Sequence, residues 1–154
     1  MRGLEKRGRN KTPRYVVDAG VLAKWVLPGE PYQEDAVRLK EDFVSGIVDL
    51  CAPNFIVEEV ANALWRAIKL ERISEKDAKI ALEALGDMKI ELHETNWVQA
   101  SHELNVACKL NLTVYDASYL LLANETKTSF ITADEKLYEN ARQYFKVTHI
   151  KDYP

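Results

Sequence analysis

Apolar residues along the chain come in two alternating patterns. Short runs rich in β-branched side chains and bounded by turn formers read as buried strands at 15–17, 49–52, 90–92 and 129–132. An edge strand is expected at 147–150, and a very short strand or approach at 112–114. Longer stretches with apolar groups every three or four positions read as helices at 21–26, 30–44, 53–70, 74–84, 97–110, 115–124 and 136–145. Pro28-Gly29 and Gly46 stop two of these and Gly86 loosens a third; Pro53 opens another, because its missing N–H falls where a first turn has no acceptor for it. Ser74 with Asp77 three later has the spacing of a helix cap. Strands alternating with helices, without internal repeats, predict an α/β fold in which a mostly parallel sheet carries helices on both faces. In such sheets ligands sit beyond the carboxyl ends of the strands, where strand order reverses.

At 154 residues the chain is long enough to bury an ordinary core without disulfides or a structural metal. A single domain is expected over 15–154, behind a basic tail at 1–14. Cys51 and Cys108 show no CxxC or Cys/His spacing, which excludes a zinc ribbon and gives no disulfide framework; both read as reduced and buried. No stretch approaches the roughly 18 apolar residues of a membrane helix, and the run after the basic start carries Asp18 and Lys24, so it is no secretory segment. The cytoplasm is the expected compartment. The tail holds six of the 21 basic residues and one of the 24 acids, leaving 15 against 23 in the rest, a net of −8. Such a body is no general nucleic-acid coat, since wholesale phosphate neutralisation needs the opposite sign.

Three aspartates fall at strand ends: Asp18 after 15–17, Asp116 after 112–115, and Asp134 after 130–133. Each alone is explained as a helix cap or first-turn acid. A fourth acid comes from the helix after Pro53, where Ile56, Val57, Val60, Ala61, Ala63, Leu64, Ala67 and Ile68 form one apolar arc. Glu59 lies about 40° beyond that arc and can lean toward the sheet, whereas Glu58 lies deeper in the polar face. Together the four are harder to dismiss. Two carboxylates about 4 Å apart repel by roughly 4 kcal/mol at an effective dielectric near 20, so the cluster calls for a cation. Oxygen-only ligation favours Mg²⁺ or Mn²⁺ over zinc, and such ions assist phosphoryl chemistry.

Four blocks carry a family resemblance: Val16-Val17-Asp18-Ala19-Gly20-Val21-Leu22-Ala23-Lys24-Trp25, Pro53-Asn54-Phe55-Ile56-Val57-Glu58-Glu59-Val60-Ala61-Asn62-Ala63-Leu64, Tyr115-Asp116-Ala117-Ser118-Tyr119-Leu120 and Ile131-Thr132-Ala133-Asp134-Glu135-Lys136-Leu137. In this order they resemble the signature blocks of PIN-domain nucleases, and most closely the VapC toxins of prokaryotic toxin–antitoxin pairs. The resemblance spans about residues 15–150. It implies a three-layer α/β/α sandwich on a five-stranded parallel sheet, an acidic pocket for Mg²⁺ or Mn²⁺, and hydrolysis of single-stranded or loop RNA to 5′-phosphate and 3′-hydroxyl ends. By block position it makes Asp18, Glu59, Asp116 and Asp134 the metal-site acids, with Asn62 and Thr132 orienting them. It also implies a small VapB-like antitoxin covering the pocket, and a homodimer. One departure stands out: relatives carry Ser, Thr or Asn two positions after the first aspartate, where this chain has Gly20.

Other features are weaker. Arg66, Lys69 and Arg72 continue the polar face of the Glu59 helix, as a solvated surface or, less strongly supported, as an RNA contact. His93, His102 and His149 form no HExxH and pair with no GxSxG serine, and the six glycines make no GxGxxG or GxxxxGK[ST], so nucleotide cofactors lack support. Packing is the expected role of Trp25 and Trp97, whereas Trp65 falls on the polar side of its helix. Competing functions are an inactive PIN-like interaction module, whose acids cap helices or receive a partner's arginine, and an RNA-processing enzyme of the same family. A haloacid-dehalogenase-type phosphatase wants an aspartate where Gly20 stands, and a receiver domain does not use a helix-borne glutamate such as Glu59.

Overall fold

The computed structural model describes residues 12–154, so residues 1–11 of the basic tail lie outside the described residues. Within them the chain runs β1 (Arg14–Val17), α1 (Ala19–Val26), α2 (Gln33–Val44), β2 (Asp49–Pro53), α3 (Ile56–Lys69), α4 (Glu75–Asp87), β3 (Glu91–His93), α5 (Trp97–Leu110), α6 (Val114–Glu125), β4 (Ser129–Thr132), α7 (Glu135–Ala141) and β5 (Val147–His149), ending in a 3₁₀ turn at Ile150–Asp152. The strands form one sheet in the order β3-β2-β1-β4-β5. Every pairing is parallel. Right-handed crossovers therefore place α1 to α4 on one face and α5 to α7 on the other, the expected three-layer α/β/α sandwich. Packing agrees, with α1 against α2 and α3, α3 against α4, and α5 against α6.

The chain leaves β1 toward β2 on one side and returns to β4 on the other, so strand order reverses between β1 and β4. Helices cover both faces of these two central strands. Val16, Val17, Phe130, Ile131 and Thr132 are wholly buried. The Asp18 amide carries the ladder one step further by donating to the Ile131 carbonyl at 3.1 Å. The carboxyl ends of β1 and β4 thus open side by side.

Several expected boundaries move, each for a local reason. Pro53 ends β2 opposite His93 instead of opening α3. Pairing with β1 has already ended at Cys51, so no neighbour there needs the donor that Pro53 lacks. The expected strand at 112–114 does not form; the Thr113 hydroxyl accepts from the Asp116 amide at 3.1 Å and makes Thr113 the cap of α6. The second helix starts at Gln33, not at residue 30, because Tyr32 is left-handed. The Gln33 side-chain amide then donates to the carbonyl of Lys24 in α1 and to that of Leu27 just past its end. Gly86 does not loosen α4, which continues to Asp87. The last helix stops at Ala141, whose carbonyl accepts from both Tyr144 and Phe145 as the chain turns. Cys108 is exposed, against expectation, while Cys51 is buried. No helix among the described residues is long and apolar enough to cross a membrane.

Beyond β5 the chain folds back over α2. The Tyr153 carbonyl accepts from Arg38, its hydroxyl donates to Asp42, and its ring meets Tyr15 edge-on. Beside this latch, Glu135 at the start of α7 accepts from the Tyr32 hydroxyl at 3.1 Å and from Lys151 Nζ at 3.3 Å. Its carboxylate also lies 3.2 Å from Nε2 of the fully buried His149. Nδ1 of that ring accepts the Lys151 amide.

Candidate active site

The open end of β1 and β4 gathers the acids that the sequence singled out. Asp18 occupies the cap position of α1 but makes no side-chain cap bond. Its Oδ2 instead accepts from Thr132 Oγ1 at 2.6 Å, across the strand boundary. The same Thr132 oxygen accepts from the Asp134 amide at 3.0 Å, so one buried hydroxyl ties the first acid to the backbone of the last. Asp134 spends Oδ1 on the Leu137 amide as the cap of α7 and keeps its other oxygen free of any such bond. Asp116 enters from the first turn of α6, held by Thr113. Glu59 enters from α3, half-buried as its angle predicts, with Glu58 exposed.

Electrostatics agree with convergence. Burial pushes the Asp18 carboxyl up to about 6; the Thr132 bond opposes this, and the charges of Asp116 and Asp134 add to it. Glu59 is pushed up to about 7, first by burial and then by Asp18 and Asp116. Asp116 is also raised, by burial above all. Among the described residues, none of the four carboxylates has a Lys, Arg or His within ion-pair distance. Nor do three acids close to metal-ligand distance. Like charges do not draw together with no cation between them. The donor set is all oxygen, and Oε1 of Glu59 is buried without a hydrogen-bond partner. Both features fit a hard divalent cation.

One residue of the cluster carried no role in the sequence reading. Tyr119 lies one turn after Asp116 on α6, almost wholly buried, its ring stacked on Phe130 at 5.0 Å and edge-on to Phe55. Its hydroxyl faces Glu59 and tempers the rise of that carboxyl, yet it makes no well-formed hydrogen bond. Burial and the surrounding carboxylates push the phenol far above its ordinary range, so it stays a neutral donor. The signal was the i, i+3 spacing from Asp116, masked by the ordinary packing of tyrosines.

The remaining sequence candidates divide. Asn62 is exposed and lines a cleft of about 630 Å³ that Glu59 also borders. Arg66 and Lys69 are exposed on α3, with Lys69 Nζ 5.8 Å above the Trp65 ring. Arg72 lies beyond α3 and is engaged, pairing with Glu30 at 2.8 Å and donating to the Pro28 carbonyl. Gly20 is exposed in the first turn of α1, and a Cβ there would meet nothing within 4 Å, so its absence is not a steric demand.

Comparison with known proteins bears on the family and the fold. A family model described as PIN domain matches residues 15–143. The chain is 31% identical over 127 residues to Ribonuclease VapC3 of Pyrobaculum aerophilum, covering 82% of this chain and 93% of that protein. It is 34% identical over 89 residues to Ribonuclease VapC1 of Mycobacterium tuberculosis, covering 56% and 63% respectively. A crystal structure of a Pyrobaculum aerophilum protein superposes with a TM-score of 0.66 over 90% of this chain and 92% of that one; at 22% identity it speaks for the fold.

Proposed function

The chain belongs to the PIN domain family, and from that membership we propose that it is a ribonuclease hydrolysing phosphodiester bonds in single-stranded or loop RNA, the toxin of a VapBC-type pair. The observation that carries this reading is an acidic cluster built from four separate elements with no basic partner among the described residues, in which Asp18 and Glu59 are pushed up to about 6 and about 7. Such a cluster is half of a binding site whose other half is a cation. Asp18, Glu59, Asp116 and Asp134 would hold Mg²⁺ or Mn²⁺, which when bound supplies charge neutralisation at phosphate and an acidified water. The chain's own groups do the positioning. Thr132 fixes the Asp18 carboxylate and the Asp134 backbone in one register. Tyr119 offers a proton toward Glu59. Asn62, on the cleft wall one turn after Glu59, presents an amide to incoming substrate.

The antitoxin of this reading is a small VapB-like protein that covers the pocket with a basic side chain. The homodimer has apolar surface at hand on α5, where Trp97 is 94% exposed and so does not take the packing role expected of it. The test is cleavage of a 5′-labelled single-stranded RNA by purified protein. Manganese-dependent cutting to 5′-phosphate ends, abolished by chelator and by Asp116→Asn, is expected; undiminished cutting in either case overturns the assignment.

A second reading, a catalytically silent PIN-like interaction module, draws on two observations: no three acids among the described residues stand at metal-ligand distance, and Gly20 brings no polar group. Calorimetric titration with Mn²⁺ separates the two, since the module predicts no saturable binding.

A further inference from the structure

We propose that the cleft beside Glu59 is a nucleobase subsite that seats one unstacked base of the RNA and prefers guanine to uracil, an inference that rests on the ribonuclease reading above. Its volume, about 630 Å³, lies in the range of sites that enclose small ligands. It is continuous with the acidic cluster, because Glu59 belongs to both and Tyr115, on the cleft wall, immediately precedes Asp116. A base held there is a neighbour of the phosphate at the acids.

The lining specifies what enters. Tyr115, in the first turn of α6, is 59% exposed and is braced edge-on by Phe55 at 5.0 Å. A fixed, open aromatic face is the platform on which unstacked RNA bases lie. The carboxylates on the wall are Glu58, Glu59 and Glu94, against a single imidazole, His93, that already lies 2.9 Å from the Glu91 carboxylate, and no Lys or Arg lines the cleft, so it repels phosphate and admits the neutral base. Its polar supply is dominated by acceptors. Guanine presents a ring N–H and an amino group side by side, matched to the two oxygens of one carboxylate. Uracil flanks its single N–H with two carbonyl oxygens that would face those carboxylates. Asn54 and Asn62 can bond the carbonyl edge of guanine.

The experiment maps the ends left on a random-sequence single-stranded RNA by wild type, a Glu58→Gln/Glu94→Gln double variant, Tyr115→Ala and Tyr115→Phe, all with Mn²⁺. Wild-type cuts should concentrate beside guanine, and the double variant should lower the ratio of guanine-flanked to uracil-flanked cuts about tenfold. Tyr115→Ala should weaken binding of a guanine-containing hexanucleotide about tenfold, measured by fluorescence anisotropy in chelator, while Tyr115→Phe retains it. Cuts indifferent to the flanking base, or a ratio unchanged in the double variant, overturn the subsite while leaving the ribonuclease reading intact. If wild type cuts no RNA, that reading fails. The subsite then stands or falls on anisotropy with hexanucleotides differing only in guanine or uracil, where equal affinity overturns it.

Discussion

Asp134 and Glu135 are adjacent in the chain, yet they belong to two opposite electrostatic regions. Glu135 has partners on every side: the Tyr32 hydroxyl and Lys151 Nζ donate to it, and the buried imidazole of His149 lies 3.2 Å away. The bond from Lys151 above all, opposed by desolvation and then aided by the Tyr32 hydroxyl and the charges of His149 and Lys151, holds its carboxyl below the ordinary range. The aromatic edges of Tyr32 and Tyr138 close around His149, so this region knits the start of α2, the start of α7 and the end of β5. Asp134 faces the other way, into a group of acids with no cation among the described residues, where Glu59 is pushed up to about 7. Residue type does not separate the two regions; charge balance does. A carboxylate ringed by donors knits the fold together, whereas a cluster without them is, on the proposed reading, where a counter-charge would bind.

The widest gap between the two regions should appear in catalysis. Asp18→Asn should remove RNA cleavage below detection, whereas Glu135→Gln should retain it, with circular dichroism checking that both variants are folded. Equal loss in both would erase the distinction. Thr132→Val keeps the shape but deletes the hydroxyl that joins Asp18 to the Asp134 amide. Cleavage and Mn²⁺ affinity should fall about 10–100-fold.

Stability offers an opposite-sign test. Raised carboxyls bind protons more tightly in the folded state than in the unfolded one. Their contribution is therefore fully present below pH of about 4 and is lost as pH rises, through about 6 for Asp18 and about 7 for Glu59. Metal-free protein should lose stability between pH 5 and 7.5 by urea denaturation, and Mn²⁺ should restore it at the upper end. At pH 7.5 without metal, Glu59→Gln should gain about 1–2 kcal/mol, roughly 5 °C in Tm, after allowance for screening by solvent. Glu135→Gln should lower Tm by the same scan. The smallest expected effect is on α3 and just beyond it. Arg72→Gln breaks the pair with Glu30 and should cost under about 1 kcal/mol while leaving RNA affinity unchanged. Arg66→Gln with Lys69→Gln should weaken binding modestly and flatten its salt dependence.

Periodicity was enough for the parallel sheet and for most of the element order, and local spacing singled out Asp18, Asp134 and Glu59 at a strand end, a helix start and a helix edge; Asp116 was singled out too, but for a strand that does not form, and it stands in the first turn of α6. What local spacing could not carry was partnership. Pro53 reads as a helix opener until β3 is known to lie beside it. The run 112–114 reads as a strand until Thr113 is seen capping α6. Trp97 reads as core by composition, but nothing in the sequence says that the start of α5 lies open to solvent. Tyr119 was hidden for the converse reason: a buried tyrosine is the expected thing, and only the fold aims its hydroxyl at Glu59. The Glu135–His149 hub depends on groups from three elements and left no motif at all.

Thr132 reaches back 114 positions to bond Asp18. During translation the first aspartate therefore leaves the ribosome long before the strand that completes its surroundings, and non-local parallel pairing of this kind is slow to form. A nascent chain that has not yet delivered Ser129–Thr132 lacks the hydroxyl that fixes Asp18, so this side of the acidic cluster is completed only once β4 has emerged and paired.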